Sequence, residues 1–239
     1  VKELRKEVES NMSKELTQLF SQHTFVGIAD YSRRLCCIQY DVKLYLVDYG
    51  AVLAEMFYQI GLADFANFGK IEIEGGVNIK KLISEEILDN EQLKNQIEPI
   101  ADGELKSLVV QRFLDMRDMW TEYFNIEIEE RDGEVILVTM PLFISGYIPP
   151  WAKLSLFLWR VIKRVDWEDE KKCLAGILRQ IALFHVPPMQ KSTDLDTLNC
   201  IENLLFPAIK RKFIATNNLA GDVVEIANLP GLYKVFERC

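Results

Sequence analysis

The chain has 239 residues, a formal net charge of −8 and a pI near 5.0, a balance that argues against the basic footprint a general nucleic-acid binder needs to displace counterions from phosphate. Its 49% hydrophobic and 27% charged residues are ordinary for a globular protein, and the length suits one large domain or two packed subdomains. No run reaches the ~20 uninterrupted apolar residues of a membrane span; the most apolar stretch, WAKLSLFLWRVI, contains Lys153 and Arg160 and reads as a core helix.

In chain order, the opening VKELRKEVES carries no secretory signal, and a start on Val1 is what a piece of a longer protein would show. SKELTQLFSQH reads as a helix with Ser13 as N-cap. TFVGIAD, RRLCCIQY and KLYLVDY follow as β-rich runs of an antiparallel hairpin or meander. AVLAEMFYQIGLADF is helical and leaves directly from the strand that ends at Asp48, a step where many α/β sites are placed. FGKIEIE gives another strand, broken at Gly75-Gly76, and residues 77–101 read as short helices and loops. GELKSLVVQRFLDMRDMWTEYF reads as one amphipathic helix, and NIEIEERDGEVILVTMP as a hairpin turning at Asp132-Gly133. Pro149-Pro150 introduces the helix WAKLSLFLWRVIKRV, and Asp166 is placed to cap WEDEKKCLAGILRQIALF. TLNCIENLLFPAIKRKFI reads as a helix kinked at Pro207, and GDVVEIANLP as a last strand and turn. The fold class is α+β: a discontinuous subdomain (1–74 and 191–239), a small sheet with helices, around an inserted α+β subdomain (75–190).

Five cysteines is an odd count without disulfide-framework spacing, which favours a reducing compartment. Cys36 and Cys37 face opposite sides of a strand, and Cys173 and Cys200 fit small core positions. Only Cys239, the last residue, stands oddly, and two histidines (His23, His185) cannot assemble a zinc site by spacing. Phosphate-cradling glycine loops, Gly-x-Ser-x-Gly and HExxH are all absent. The IKRKF run is best read as a solvated helix face, and Asp166, Glu168, Asp169 and Glu170 as acidic residues that oppose a helix dipole. On residue chemistry alone the chain is an α+β domain with no visible active site and an unusual tail.

YQIGLADFANFG, GYIPP, VDWEDE and above all EIANLPGLYKVFERC resemble the C-terminal domain of the MLH-type eukaryotic MutL homologues of DNA mismatch repair. The resemblance spans essentially the whole chain and is weakest between Gly75 and Asp102. It implies an obligate heterodimer with a PMS-type MutL homologue that together forms a latent, nucleus-localised DNA endonuclease, acting on DNA through the full complex and with no membrane role. The catalytic chain of such a pair carries DQHAxxExxxxE at the strand-to-helix step. Here that step reads DYGAVLAEMFYQ: Asp48 and Ala51 match, Tyr49 and Gly50 replace Gln and His, and Ala54 and Gln59 replace the glutamates. Glu55 is one position out of register, about 100° around a helix. The downstream CPHGRP-like segment is missing too, so no autonomous nuclease site is expected.

The FERC tail matches residue by residue. The resemblance implies that it reaches the partner's metal site, with Cys239 beside or on the partner's zinc, Phe236 as apolar anchor, and Glu237 and Arg238 fixing direction. It also implies docking of basic-aromatic peptide motifs, including those of the mismatch-repair exonuclease, on VDWEDE through Glu170, with Asp169 and Trp167 beside it. The alternatives are a structural homodimer and an autonomous metal-dependent nicking domain built on Asp48 and the cysteines.

Overall fold

The structure, a computed structural model, describes residues 1–83, 102–189, 195–228 and 230. It is α+β, and the chain divides into two compact units: residues 2–59 with 185–239, and residues 60–184 with Val1.

The first unit begins with helix α1 (Lys2–Ser10), which the sequence reading left unassigned, and α2 (Lys14–Gln22). Ser13 caps α2 as expected, its hydroxyl accepting the Leu16 N–H at 3.3 Å. Strands β1 (Thr24–Asp30), β2 (Leu35–Tyr40), β3 (Lys43–Asp48) and β7 (Val223–Asn228) form an antiparallel sheet in the order β1-β2-β3-β7. The meander is the expected one; the return of β7 to pair with β3 joins the two ends of the chain's sequence in one sheet. Helix α3 (Tyr49–Ala63) leaves β3 without a linker. Towards the C-terminus come α9 (Leu195–Cys200), a π-helical turn (Ile201–Leu205), α10 (Phe206–Lys212) and a 3-10 turn (Asn217–Gly221). The irregularity expected at Pro207 lies ahead of it: the helical run continues through Leu205 and Phe206, and the π turn Ile201–Leu205 is the break in regular α geometry that precedes the proline.

The inward sheet face carries Cys36, Ile38 and Val47, all fully buried, in a core shared with Phe20, Val52, Leu53, Phe57, Leu205 and Ile209. Rings order this core: Phe20 meets Phe213 edge-on at 5.4 Å, and Phe206 lies 4.6 Å from Phe25. The segment after α10 is held by reciprocal bonds: the Ala215 N–H donates to Thr17 Oγ1 at 3.0 Å, and Thr17 Oγ1 donates to Ala215 O at 3.3 Å. Cys37, Leu46 and Val224 are cross-strand neighbours on the second sheet face, only half-buried or exposed. Cys200, expected in a core, is also only half-buried.

The second unit contains β4 (Gly69–Asn78), α4 (Ile79–Leu82), α5 (Asp102–Asp115), α6 (Arg117–Phe124), β5 (Ile128–Arg131), β6 (Glu134–Leu142), a 3-10 turn (Trp151–Lys153), α7 (Leu154–Arg164) and α8 (Glu170–His185, its last residue falling to the first unit). Its sheet has the order β4-β6-β5. The β5–β6 hairpin turns at Asp132-Gly133 as read, with φ of 52° and 79°, the left-handed pair of a tight hairpin. Two other readings are corrected. Gly75-Gly76 does not end the strand: β4 continues to Asn78 across a register shift, both glycines at positive φ. The long amphipathic helix is two, because Met116 (φ −110°, ψ 22°) leaves the helical basin between α5 and α6. Strand β4 contributes to this unit along its whole length, including residues 69–74. Phe113, Trp120, Phe124, Leu137, Leu158 and Ile177 fill the core with no exposure.

Candidate functional site

The strand-to-helix step holds Asp48, Tyr49 and Gly50, with Glu55 and Gln59 further along α3. Asp48 Oδ1 accepts the Ala51 N–H at 3.0 Å, so this carboxylate caps α3 and opposes its dipole. Asp222 lies close: its carbonyl accepts the Asp48 N–H at 2.9 Å, and burial, then the Asp48 charge, push its carboxyl above the usual range. Tyr49 is buried and its phenol is pushed up to about 12 by burial, against the pull of Arg34.

Gly50 is roofed by a cation. A Cβ at this position would lie 2.4 Å from Arg34 Nε and 2.6 Å from Arg34 Cζ. Arg34 ends the β1–β2 turn in the left-handed region (φ 56°), with its carbonyl accepting the Tyr49 N–H at 2.9 Å. A side chain at 50 fits only if the guanidinium swings out. Sequence reasoning missed Arg34 because it lies sixteen positions away, and only the β2–β3 pairing folds it back over the step.

Further along α3, the Gln59 amide closes a two-way pair with the backbone: Nε2 donates to Ile214 O at 2.7 Å, and Oε1 accepts the Ile214 N–H at 3.0 Å. It also donates to Glu55 Oε1 at 3.3 Å, and Glu55 is only 8% exposed. A carboxylate at 59 could accept but not donate. The residues present thus do not fit a divalent metal: a cap, a glycine under a guanidinium, an alanine and a bridging amide replace a ligand set. No group of three or more His, Cys, Asp and Glu side chains among the described residues is arranged to hold a metal ion. Cys36 and Cys173 are both buried, and burial drives the Cys36 thiol far above its ordinary range and also raises Cys173. Cys239, Phe236, Glu237 and Arg238 lie outside the described residues.

The VDWEDE segment is the turn between α7 and α8. Its cap is not Asp166 but Asp169, whose Oδ1 accepts the Lys172 N–H at 2.8 Å and whose carbonyl accepts the Cys173 N–H at 2.8 Å. Asp166 instead folds the turn: its Oδ1 accepts the Glu168 N–H at 3.1 Å and its Oδ2 pairs with Lys172 at 3.4 Å. Those partners, the Glu168 amide first, hold its carboxyl below the ordinary range. Glu170 opens α8 and is exposed, as is Asp169. Trp167 faces inward from the same turn, edge-on to Trp120 at 5.9 Å, with the Arg112 guanidinium 4.6 Å from its ring centroid. One short segment therefore presents carboxylates to solvent while its indole locks it onto α5 and α6.

Along the whole chain, residues 1–239, the sequence matches the family model described as DNA mismatch repair protein Mlh1 C-terminus. It is 43% identical over 263 aligned residues to DNA mismatch repair protein MLH1 of Saccharomyces cerevisiae, covering all of this chain and 33% of that protein. It is 32% identical over 269 residues to DNA mismatch repair protein Mlh1 of Dictyostelium discoideum, again covering all of this chain and 29% of the relative. The chain thus spans about a third of the length of the relatives it matches. From the match over its full length, the chain belongs to the Mlh1 C-terminal family of DNA mismatch repair proteins.

Proposed function

We propose that this chain is the dimerisation and docking domain of a mismatch-repair MutL heterodimer and cuts no DNA by itself. The observation that carries this reading is the strand-to-helix step, where Arg34 covers Gly50 and Gln59 is tied to Ile214. A domain of this family with that step spent on structure has to contribute by assembly. Dimerisation with a PMS-type partner is supported by the sheet face that carries Cys37, Leu46 and Val224, and by the exposed Val26 (56%) and Ile226 (49%) on the outer strands. The FERC tail is then proposed to reach the partner's metal site, with Cys239 completing zinc coordination in trans and Phe236, Glu237 and Arg238 seating it. A terminal thiolate is a good zinc ligand, and its own chain supplies no competing set among the described residues.

The second part of the proposal is docking of accessory factors, the mismatch-repair exonuclease among them, through short basic-aromatic peptides on the α7–α8 turn. It is supported by Asp169 and Glu170 facing solvent on a turn that Trp167 fixes from behind. Contact with DNA belongs to the full complex, and the compartment inferred from the eukaryotic mismatch-repair relatives is the nucleus. The test is to purify the chain alone and together with a PMS-type C-terminal domain, then measure mass and Mn²⁺-dependent nicking of supercoiled DNA. A one-to-one complex that nicks, beside an inactive lone chain, is the expected result. Clear nicking by the lone chain, or a homodimer that ignores the partner, would overturn the reading.

A further inference from the structure

In the second unit a groove of about 450 Å³ runs between β4 and the start of α7. Its apolar lining is Ile73, Val77, Leu82, Trp151 and Leu154, and the Trp151 ring remains 37% exposed. Glu72 and Glu74 stand in the same wall, two residues apart on β4 and both exposed. Neither carboxylate has a hydrogen bond or ion pair among the described residues, and no Lys or Arg is among the described residues that line the groove. The adjacent Lys153 is turned away, its ammonium donating to the Leu183 carbonyl. None of the VDWEDE residues takes part.

The backbone of this wall is unusual as well. Glu72 pairs with Thr139 and Val77 with Leu137, so residues 73–76 bulge out of register with β6, and the Gly75 carbonyl accepts from Arg131 Nη1 at 3.1 Å. Strand β4 is also an edge of its sheet, and no other described strand pairs with its outer side. The wall thus combines a bulged edge strand, an apolar floor with a partly exposed indole, and two carboxylates that no described residue pairs. An extended chain can add to a sheet edge through main-chain bonds while alternate side chains read the surface. Charge complementarity then decides which chain: one with cationic side chains alternating with apolar ones.

We propose that this groove is a second peptide-docking site, distinct from the α7–α8 turn, that takes an extended segment of alternating basic and apolar residues. Its apolar side chains lie against Trp151 and Leu154, and its cations face Glu72 and Glu74.

The probe is a fluorescein-labelled pentapeptide KLKLK, read by anisotropy on the full chain, with ELELE as the charge-reversed control. Binding of KLKLK but not ELELE is expected, with about fivefold or greater weakening in the double variant Glu72→Gln, Glu74→Gln, two exposed charge pairs being lost. Trp151→Ala is expected to weaken binding as well, and Trp151→Phe to restore most of it. The exposed Glu9→Gln, on α1, serves as the comparison and is expected to leave KLKLK affinity unchanged. Absence of KLKLK binding, equal binding of ELELE, or an unchanged affinity in the double glutamine variant overturns the proposal. So does loss of binding in Glu170→Gln, which would move the peptide to the α7–α8 turn.

Discussion

Gln59 donates to the Ile214 carbonyl and accepts from the Ile214 N–H, a pair that a carboxylate at 59 cannot reproduce. Gln59→Glu would strip the donor and set a second carboxylate beside the buried Glu55, so it is expected to destabilise the fold by about 2 kcal/mol. Urea unfolding measures this, and an unchanged midpoint would contradict the structural role given to the amide. Trp167 and Glu170 make the complementary comparison on one turn. Trp167→Ala loses the edge contact to Trp120 and the Arg112 guanidinium, and a loss of about 2 kcal/mol is expected for a half-buried ring. Glu170→Gln, at an exposed position, should stay within about 0.5 kcal/mol of the parent. If both behave alike, the division of the turn into an anchor and a presented face is wrong. His23 supplies a pH dependence: it is fully buried among Phe20 and Phe206, with Nδ1 against the Phe20 carbonyl at 2.6 Å. Burial first, and Lys210 after the opposing Phe20 bond, lower its pKa from 6.5. The unfolded chain therefore takes up a proton before the folded one, and this contribution to stability declines as pH falls below 6.5, levelling off below the folded pKa. Denaturation midpoints at several pH values should show that slope, and His23→Asn should flatten it.

Elements were legible where local chemistry alone decides them. Ser13 caps α2, Asp132-Gly133 turns the hairpin, and the three strands of the meander stand where alternation placed them. The failures share a cause in that several local solutions were available and packing chose among them. Asp166 and Asp169 are both competent caps, and the carboxylate three residues on caps the helix while Asp166 bonds within the turn that carries Trp167 inward. Asp169→Ala is accordingly expected to cost about 1 kcal/mol; a larger loss in Asp166→Ala would reverse the assignment. Met116 gives no sequence signal of a break, yet the stacking of Phe113 on Trp120 at 4.8 Å joins the two helices on either side of it. At the candidate site, the missing ligands were readable from DYGAVLAEMFYQ, while the guanidinium over Gly50 was not, because pairing between β2 and β3 creates it.

For the molecule as a whole, the first unit is built from both ends of the sequence, since β7 completes a sheet begun by β1 to β3. That arrangement ties the segment leading to the tail to the same sheet whose outer face is proposed to meet the partner. The central claim is that this chain supplies no metal site and instead completes one next door through Cys239. Its most direct test is the zinc content, mass and nicking activity of the complex with a PMS-type C-terminal domain, compared for the intact chain and one lacking Cys239. Removing the cysteine is expected to leave the heterodimer mass unchanged and to reduce zinc occupancy or nicking. Zinc and nicking that are both unchanged would contradict it.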